Sequence, residues 1–346
     1  MRHHPTFAAP TPFGDGHGGD LSAARRAYPL APEPWLDLST GVSPYAYPIG
    51  DLPAEAWSRL PEPEALRALE KAAALAYRAS EGAAALAAPG SQAIIGCLPY
   101  LWPARRVGIL GHAYRGHSDA WRAAGAEVDR VEDLAGLADR DVAIVVNPNN
   151  PDGRLVPAED LHALARELGE HDGLLIVDEA FMDFVEPAAS IIPAMPTRGV
   201  LALRSFGKAY GLAGLRLGFV IAPVELAKKL RAALGPWPVS GAAIALGAKA
   251  LADADWLATA RRKLTADAAA LDEILLSAQF EIVGGSPLFR LAAHRDALKL
   301  FDALARAGIL VRRFASRPAL LRFGLPGSDA DRARLRAALS FGATRK

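Results

Sequence analysis

The chain has 346 residues, 51% of them hydrophobic and 22% charged, and its 39 basic and 38 acidic side chains give a formal net charge of +1. Such a composition excludes a disordered chain and leaves room for two domains, while the balance of charge gives no electrostatic footing for nucleic acid or an anionic membrane. A single cysteine, Cys97, excludes an internal disulfide and fits a reducing cytoplasm.

The first 50 residues are rich in Gly and Pro and read as an extended arm. Their opening stretch, MRHHPTFAAPTPFGDGHGGD, lacks the apolar centre of a signal peptide. From Glu62 the pattern becomes helical, with prolines and acids leading into strong helix formers. Apolar runs follow at Arg106–Leu110, Val142–Val146, Leu174–Val177, Val200–Leu203 and Leu217–Ile221, separated by helical stretches. Continuous apolar runs alternating with helices predict an α/β domain with a mostly parallel sheet covered on both faces, whose ligands sit at the carboxyl ends of the strands. Two uncharged runs, 82–104 and 232–248, contain Gly and Pro and read as buried elements of a soluble core, not membrane spans. After about Pro236 an Ala-rich helix is expected over Ser240–Ser277, followed by strands at Phe280–Val283, Leu310–Arg313 and Leu320–Phe323 with helices at Arg295–Ala307 and Ser328–Leu339. The expected organisation is an arm over 1–50 that packs with the small domain, a large domain over 51–236, and a small α+β domain over 237–346.

The polar residues that end these strands carry the chemistry. Val142–Val146 runs into Asn147-Pro148-Asn149-Asn150-Pro151-Asp152-Gly153, and Leu174–Val177 into Asp178-Glu179-Ala180-Phe181. Val200–Leu203 runs into Arg204-Ser205-Phe206-Gly207-Lys208-Ala209-Tyr210-Gly211, with Arg216-Leu217-Gly218 just beyond. Taken singly each is ordinary: aspartates cap helices, Asn-Pro makes turns, and Ser-x-x-Lys arises by chance.

In this order and spacing the series resembles the fold-type I enzymes dependent on pyridoxal phosphate (PLP), over nearly the whole chain. Within them it resembles the branch of histidinol-phosphate aminotransferases and threonine-phosphate decarboxylases. The resemblance implies PLP as cofactor, with Lys208 as the Schiff-base lysine and proton shuttle, since a lysine amine condenses with an aldehyde and shifts its pKa readily on burial. It further implies Asp178 at the pyridine nitrogen, Asn150 at the phenolic oxygen, and Tyr114 stacked on the ring with His117 behind Asp178. Gly90, Ser91 and Gln92 before a helix, with Ser205 and the guanidinium fork of Arg216, would cradle the phosphate. Arg322 matches the arginine that grips a substrate carboxylate. No metal site is expected, and a homodimer is implied by the fold alone.

Two positions depart from the aminotransferase pattern: Phe181 and Leu60 each stand where a tyrosine is usual. Neither change prevents attachment of the cofactor; together they make ordinary transamination less secure. The arm favours decarboxylation. His17-Gly18-Gly19-Asp20 and Leu36-Asp37-Leu38-Ser39-Thr40-Gly41-Val42-Ser43-Pro44 resemble the corresponding segments of the decarboxylases, although Thr40 and Val42 differ. The implied reaction is decarboxylation of L-threonine O-3-phosphate to (R)-1-amino-2-propanol O-2-phosphate for cobalamin synthesis, on a phosphorylated amino acid held by His17, Ser39 and Arg312 or Arg313. Lys208, with Tyr210 as the alternative, would return the proton. Two other readings stay open: a histidinol-phosphate-type aminotransferase, and a catalytically silent PLP-fold partner in corrinoid assembly. A DNA-binding regulator is disfavoured, since the length leaves no room for a further domain.

Overall fold

The structure, a computed structural model, describes residues 16–185 and 189–344. In chain order its strands are β1 (Leu36–Leu38), β2 (Ala83–Ala88), β3 (Arg106–Leu110), β4 (Glu127–Val131), β5 (Val142–Val146) and β6 (Leu174–Asp178). They continue with β7 (Val200–Arg204), β8 (Gly218–Pro223), β9 (Glu281–Ser286), β10 (Phe289–Ala293), β11 (Ile309–Arg313) and β12 (Leu320–Gly324). Two compact units divide at Gly41/Val42 and at Lys263/Leu264.

The larger unit, Val42–Lys263, holds a sheet ordered β2-β8-β7-β6-β5-β3-β4. Neighbours from β7 through β4 pair in parallel, and β8 alone runs antiparallel to both its partners. Every residue of β5, β6 and β7 is buried, which is why these strands read as unbroken apolar runs without polar alternation. Ile94, Leu98, Val107, Ile144, Ile176 and Leu203 share one core with Trp121 of the 115–123 helix. Two strands of this sheet escaped the sequence reading. β2 is built almost wholly of alanine, which carries little strand preference, and β4 is an edge strand with three charged residues, Glu127, Asp129 and Arg130.

The uncharged run at 82–104 folds into β2 and the Ser91–Leu101 helix, and the second run ends in the Gly241–Ala252 helix. Among the described residues no helix is long and apolar enough to cross a membrane. The helix expected over Ser240–Ser277 is two helices, Gly241–Ala252 and Ala254–Ser277, because the Asp253 carboxylate accepts the Trp256 amide at 2.9 Å and starts the second. The first of these belongs to the larger unit: Gly247 lies so close to Leu217 and Leu69 that a Cβ would come within 2.5 Å and 2.9 Å of their methyl carbons. The division after Lys263 therefore differs from the expected one at 236/237. The change of composition there marks the approach to an Ala-rich helix, not a boundary.

The smaller unit combines the described residues up to Gly41 with those from Leu264, around a sheet ordered β1-β11-β12-β10-β9. β1 pairs in parallel with β11, and this unit takes the described arm as far as Gly41. From Val42 the chain braces the lysine loop of the larger unit instead. The Ser43 amide donates to the Lys208 carbonyl at 2.8 Å and the Tyr47 amide to the Tyr210 carbonyl at 2.9 Å. The brace requires glycine at 211, where φ is +64° and a Cβ would stand 2.4 Å from the Tyr45 carbonyl oxygen. Gly211→Ala should lower stability by about 1–3 kcal/mol, the cost of a strained left-handed residue with a clash. Urea denaturation checks this, read against wild type.

Candidate active site

In the larger unit the carboxyl ends of β5, β6 and β7 lie side by side, with Val146 opposite Asp178 and Asp178 opposite Leu203. Asp178 is thus delivered, 3% exposed, at the end of a central strand. Its Oδ2 lies 2.9 Å from Nε2 of the buried His117, and its Oδ1 accepts the Ala180 amide at 3.1 Å. Donation to the carboxylate places a proton on His117 Nε2. A buried carboxylate with two donors and a remaining lone pair can receive a protonated ring nitrogen.

Lys208 sits half-buried on the short Phe206–Ala209 helix that follows β7, its Nζ 5.1 Å from the centre of the Phe181 ring. Tyr210, weighed above as a proton donor, is 2% exposed and stacked between Phe206 (4.2 Å) and Trp256 (5.4 Å). Burial drives its phenol far above the ordinary range, and its stacked ring packs the lysine helix from behind.

Of the three asparagines after β5, two are committed to the loop. Asn147 exchanges both hydrogen bonds with the Val156 backbone, at 3.0 and 2.8 Å. Asn149 donates to the His112 carbonyl at 2.8 Å and to Asp152 at 2.7 Å. Asn150 follows them in the same loop and is half-buried.

The candidate phosphate cradle forms where β8 reverses direction, because pairing of Ala88 with Gly218 brings the loop after β2 against the residues before β8. Gly90, at φ +79°, precedes the 11-residue helix Ser91–Leu101, and among the described residues no side chain caps its amides. Neither wall tolerates a side chain: a Cβ on Gly218 would stand 2.4 Å from the Ser91 nitrogen, and one on Gly90 would stand 2.7 Å from Nη2 of Arg216. Arg216 is in the left-handed region (φ 55°, ψ 47°) with Nη1 donating to the Ala213 carbonyl at 3.2 Å. An uncapped helix N-terminus, an exposed guanidinium beside it and Ser205 at the start of the lysine helix are a fit for a phosphate.

Gln92 has a more definite task than its place in the cradle implied: it accepts the Tyr114 hydroxyl at 2.8 Å. Gly116 lets that ring lie back on the helix, since a Cβ there would meet Tyr114 Cε1 at 2.4 Å. Burial, then the nearby Asp178 and Asp119 carboxylates, raise the Tyr114 phenol and keep it protonated. Sequence reasoning missed Gly116; a glycine two residues after an aromatic at a helix start was the available signal.

The remaining candidates lie in the smaller unit. Arg322 is 7% exposed on β12; it donates to the Ser39 carbonyl at 2.8 Å and lies over the Phe289 ring. Burial, then the neighbouring Arg312, lower it to about 10, which leaves it cationic at neutral pH. Arg312 is opposite Arg322 in the β11–β12 pairing, whereas Arg313, on the alternate face, lies over Phe301 of the Ala297–Arg306 helix. The geometry therefore groups Arg312, not Arg313, with Arg322. Ser39 is less open than expected: its hydroxyl donates to Asp37 at 2.6 Å and accepts the Gly19 amide at 2.7 Å. Gly18 presses on it, as a Cβ would stand 2.3 Å from the Ser39 carbonyl oxygen. Ser39 is thus the joint that fastens the arm, which leaves His17 exposed one residue from that contact.

The family described as aminotransferase class I and II matches residues 50–339 of the chain. A threonine-phosphate decarboxylase of Pseudomonas aeruginosa is 42% identical over 326 residues, covering 93% of this chain and 96% of that protein. One from Sinorhizobium is also 42% identical, over 94% of this chain and 97% of its own length. In fold the chain is similar to the histidinol-phosphate aminotransferase of Sinorhizobium meliloti in complex with pyridoxal-5'-phosphate, with a TM-score of 0.79, 22% identity and 98% of each chain covered.

Gly90→Ala would drive a methyl group into the Arg216 guanidinium at a left-handed residue. We expect its dissociation constant for PLP, titrated by fluorescence, to rise on the order of tenfold or more, the loss of one charge-assisted contact.

Proposed function

The chain belongs to the class I and II aminotransferase family, and on that premise we propose that it is a PLP-dependent lyase that decarboxylates L-threonine O-3-phosphate. The observation that carries this reading is the 42% identity, over 93% and 94% of the chain, to two relatives named for that reaction. The structure supports it with an intact set of reacting groups in the larger unit and paired arginines in the smaller one. Loss of carbon dioxide from that substrate leaves 1-amino-2-propanol O-2-phosphate, and one proton replaces the departing carboxyl at Cα.

When bound, PLP supplies an electron sink for the pair released as the Cα–carboxylate bond breaks. The residues do the rest. Asp178, fixed by His117 and the Ala180 amide, holds negative charge where a protonated ring nitrogen would lie. Ser91, Ser205 and Arg216 would anchor the cofactor phosphate, and Asn150 would meet its ring oxygen. Tyr114, held by Gln92 and seated on Gly116, offers its ring as a flat lid and keeps its own proton. Lys208 would carry the cofactor and then return a proton to Cα, a role its amine can fill at half-buried depth. Arg322 takes the substrate carboxylate and Arg312 its phosphate, with His17 as a further contact from the arm.

A homodimer, a cytoplasmic location and a place in cobalamin synthesis belong to the same proposal. Supporting the first, Ile49, Trp57, Leu60 and Trp237 of the larger unit are 52%, 70%, 66% and 54% exposed, an apolar burden suited to a subunit contact.

The test is incubation of PLP-loaded protein with L-threonine O-3-phosphate and no keto acid, following carbon dioxide and aminopropanol phosphate. Equal release of both over many turnovers is the expected outcome. Amine transfer from histidinol phosphate to 2-oxoglutarate, without such release, would replace this reading with an aminotransferase. Lys208→Ala should abolish turnover in a folded protein, judged by circular dichroism. Arg322→Ala should raise KM on the order of tenfold to a hundredfold, from loss of charge-assisted bonds of about 1.5–3 kcal/mol.

A further inference from the structure

A second group of charges lies buried in the larger unit and takes no part in the reaction described above. Arg204 closes β7, one residue before Ser205 and four before Lys208, and is 5% exposed. Its Nη2 stands 2.9 Å from Glu179 Oε2 and donates to the Ser190 hydroxyl at 3.1 Å. Its Nη1 stands 3.6 Å from Asp183 Oδ1, and its guanidinium lies 4.7 Å from the centre of the Tyr77 ring. Glu179 is fully buried and also accepts from the Ser190 hydroxyl at 2.7 Å and the Ile191 amide at 2.8 Å. The Asp183 side chain is 5% exposed.

One guanidinium thus grips residues 179 and 183, the two ends of the turn that leaves β6. Asp178 immediately precedes that turn, and at its centre is Phe181, whose ring faces the Lys208 amine at 5.1 Å. The Glu179 amide donates to the Leu203 carbonyl at 2.9 Å, so the backbones are joined at the same level. Burial raises both carboxyls above their ordinary range while Arg204 opposes the rise. Apolar residues of similar volume would fill this space at equal or lower free energy, so the ionic cluster is poorly explained as a source of stability. A planar fork that must meet two carboxylates does, however, fix the relative placement of three chain segments.

We propose that Arg204 is a positioning residue for the reaction: by holding Glu179 and Asp183 together it sets the Lys208 amine against Phe181 and Asp178. This rests on the reading of Lys208 as the lysine that carries the cofactor. Arg204→Lys keeps the charge but supplies a point donor that cannot span both carboxylates, and Asp183→Asn releases only the far end at constant shape. Both variants and wild type, as PLP-loaded full chains, are compared for kcat and KM with L-threonine O-3-phosphate. Thermal midpoint and the pH midpoint of the bound cofactor's visible absorption are measured alongside. For Arg204→Lys, kcat falls on the order of tenfold to a hundredfold, the scale of a 1 Å misplacement, with KM little changed. Asp183→Asn lowers kcat by less, and both displace the absorption midpoint, which a purely structural contact would leave in place. Wild-type kcat and absorption midpoint in both variants, whatever their thermal midpoints, overturn the proposal. Should Arg204→Lys not fold, unchanged kcat and midpoint in Asp183→Asn overturn it alone. Absence of any lysine-dependent absorption in wild type overturns the reading of Lys208 and the proposal with it, an outcome visible before either variant is made.

Discussion

A carboxylate buried at the end of a central strand costs several kcal/mol unless donors surround it, and Asp178 imposes that condition on the larger unit. β6 can place it there only because β5 and β7 flank it in parallel register. The 115–123 helix then supplies the buried His117, and the turn after β6 folds back to supply the Ala180 amide. The same parallel alignment sets the Asn150 loop and the Lys208 helix on either side of Asp178. One electrostatic requirement thus accounts for why the chemistry collects at a single edge of the sheet.

β8 adds what parallel strands cannot. Running against its neighbours, it starts where β2 ends, and that reversal brings Arg216 to the amides at the head of the Ser91–Leu101 helix. Positive ends of backbone dipoles and a guanidinium then face one small space from two sides. Glycines at 90 and 218 make the approach possible, since a methyl group at either would strike the opposing wall. The cradle is therefore a consequence of topology together with two missing side chains.

Much of this was legible because buried parallel strands announce themselves as apolar runs closed by a polar residue. β3, β5, β6, β7 and β8 fall within a residue or two of the runs that predicted them, which sets the candidate residues at their ends. β2 was not legible, since six residues with five alanines are buried by their neighbours and not by any preference of their own. The division of the units was hidden for a related reason: an alanine-rich helix looks alike whether it packs on one unit or the other. Gly247, set between Leu217 and Leu69, and Gly241, set against Ala56, reveal the answer through contacts that join residues far apart in sequence. Ser39 and Gln92 misled in a different way. Their polar atoms hold Gly19 and Tyr114, bonds that no spacing rule encodes.

The smaller unit presents the opposite electrostatic case. Arg312 and Arg322 stand opposite one another on adjacent strands, an arrangement of like charges that destabilises a sheet. Burial first, and the neighbouring Arg312 second, lower the pKa of the Arg322 guanidinium to about 10. Asp37 opposes the shift, but its carboxylate is also bound to the Ser39 hydroxyl and amide, which fixes it as a support for the arm. The small sheet therefore holds two guanidiniums at one register position, and the Ser39 carbonyl and the Phe289 ring are among the groups that seat Arg322 there.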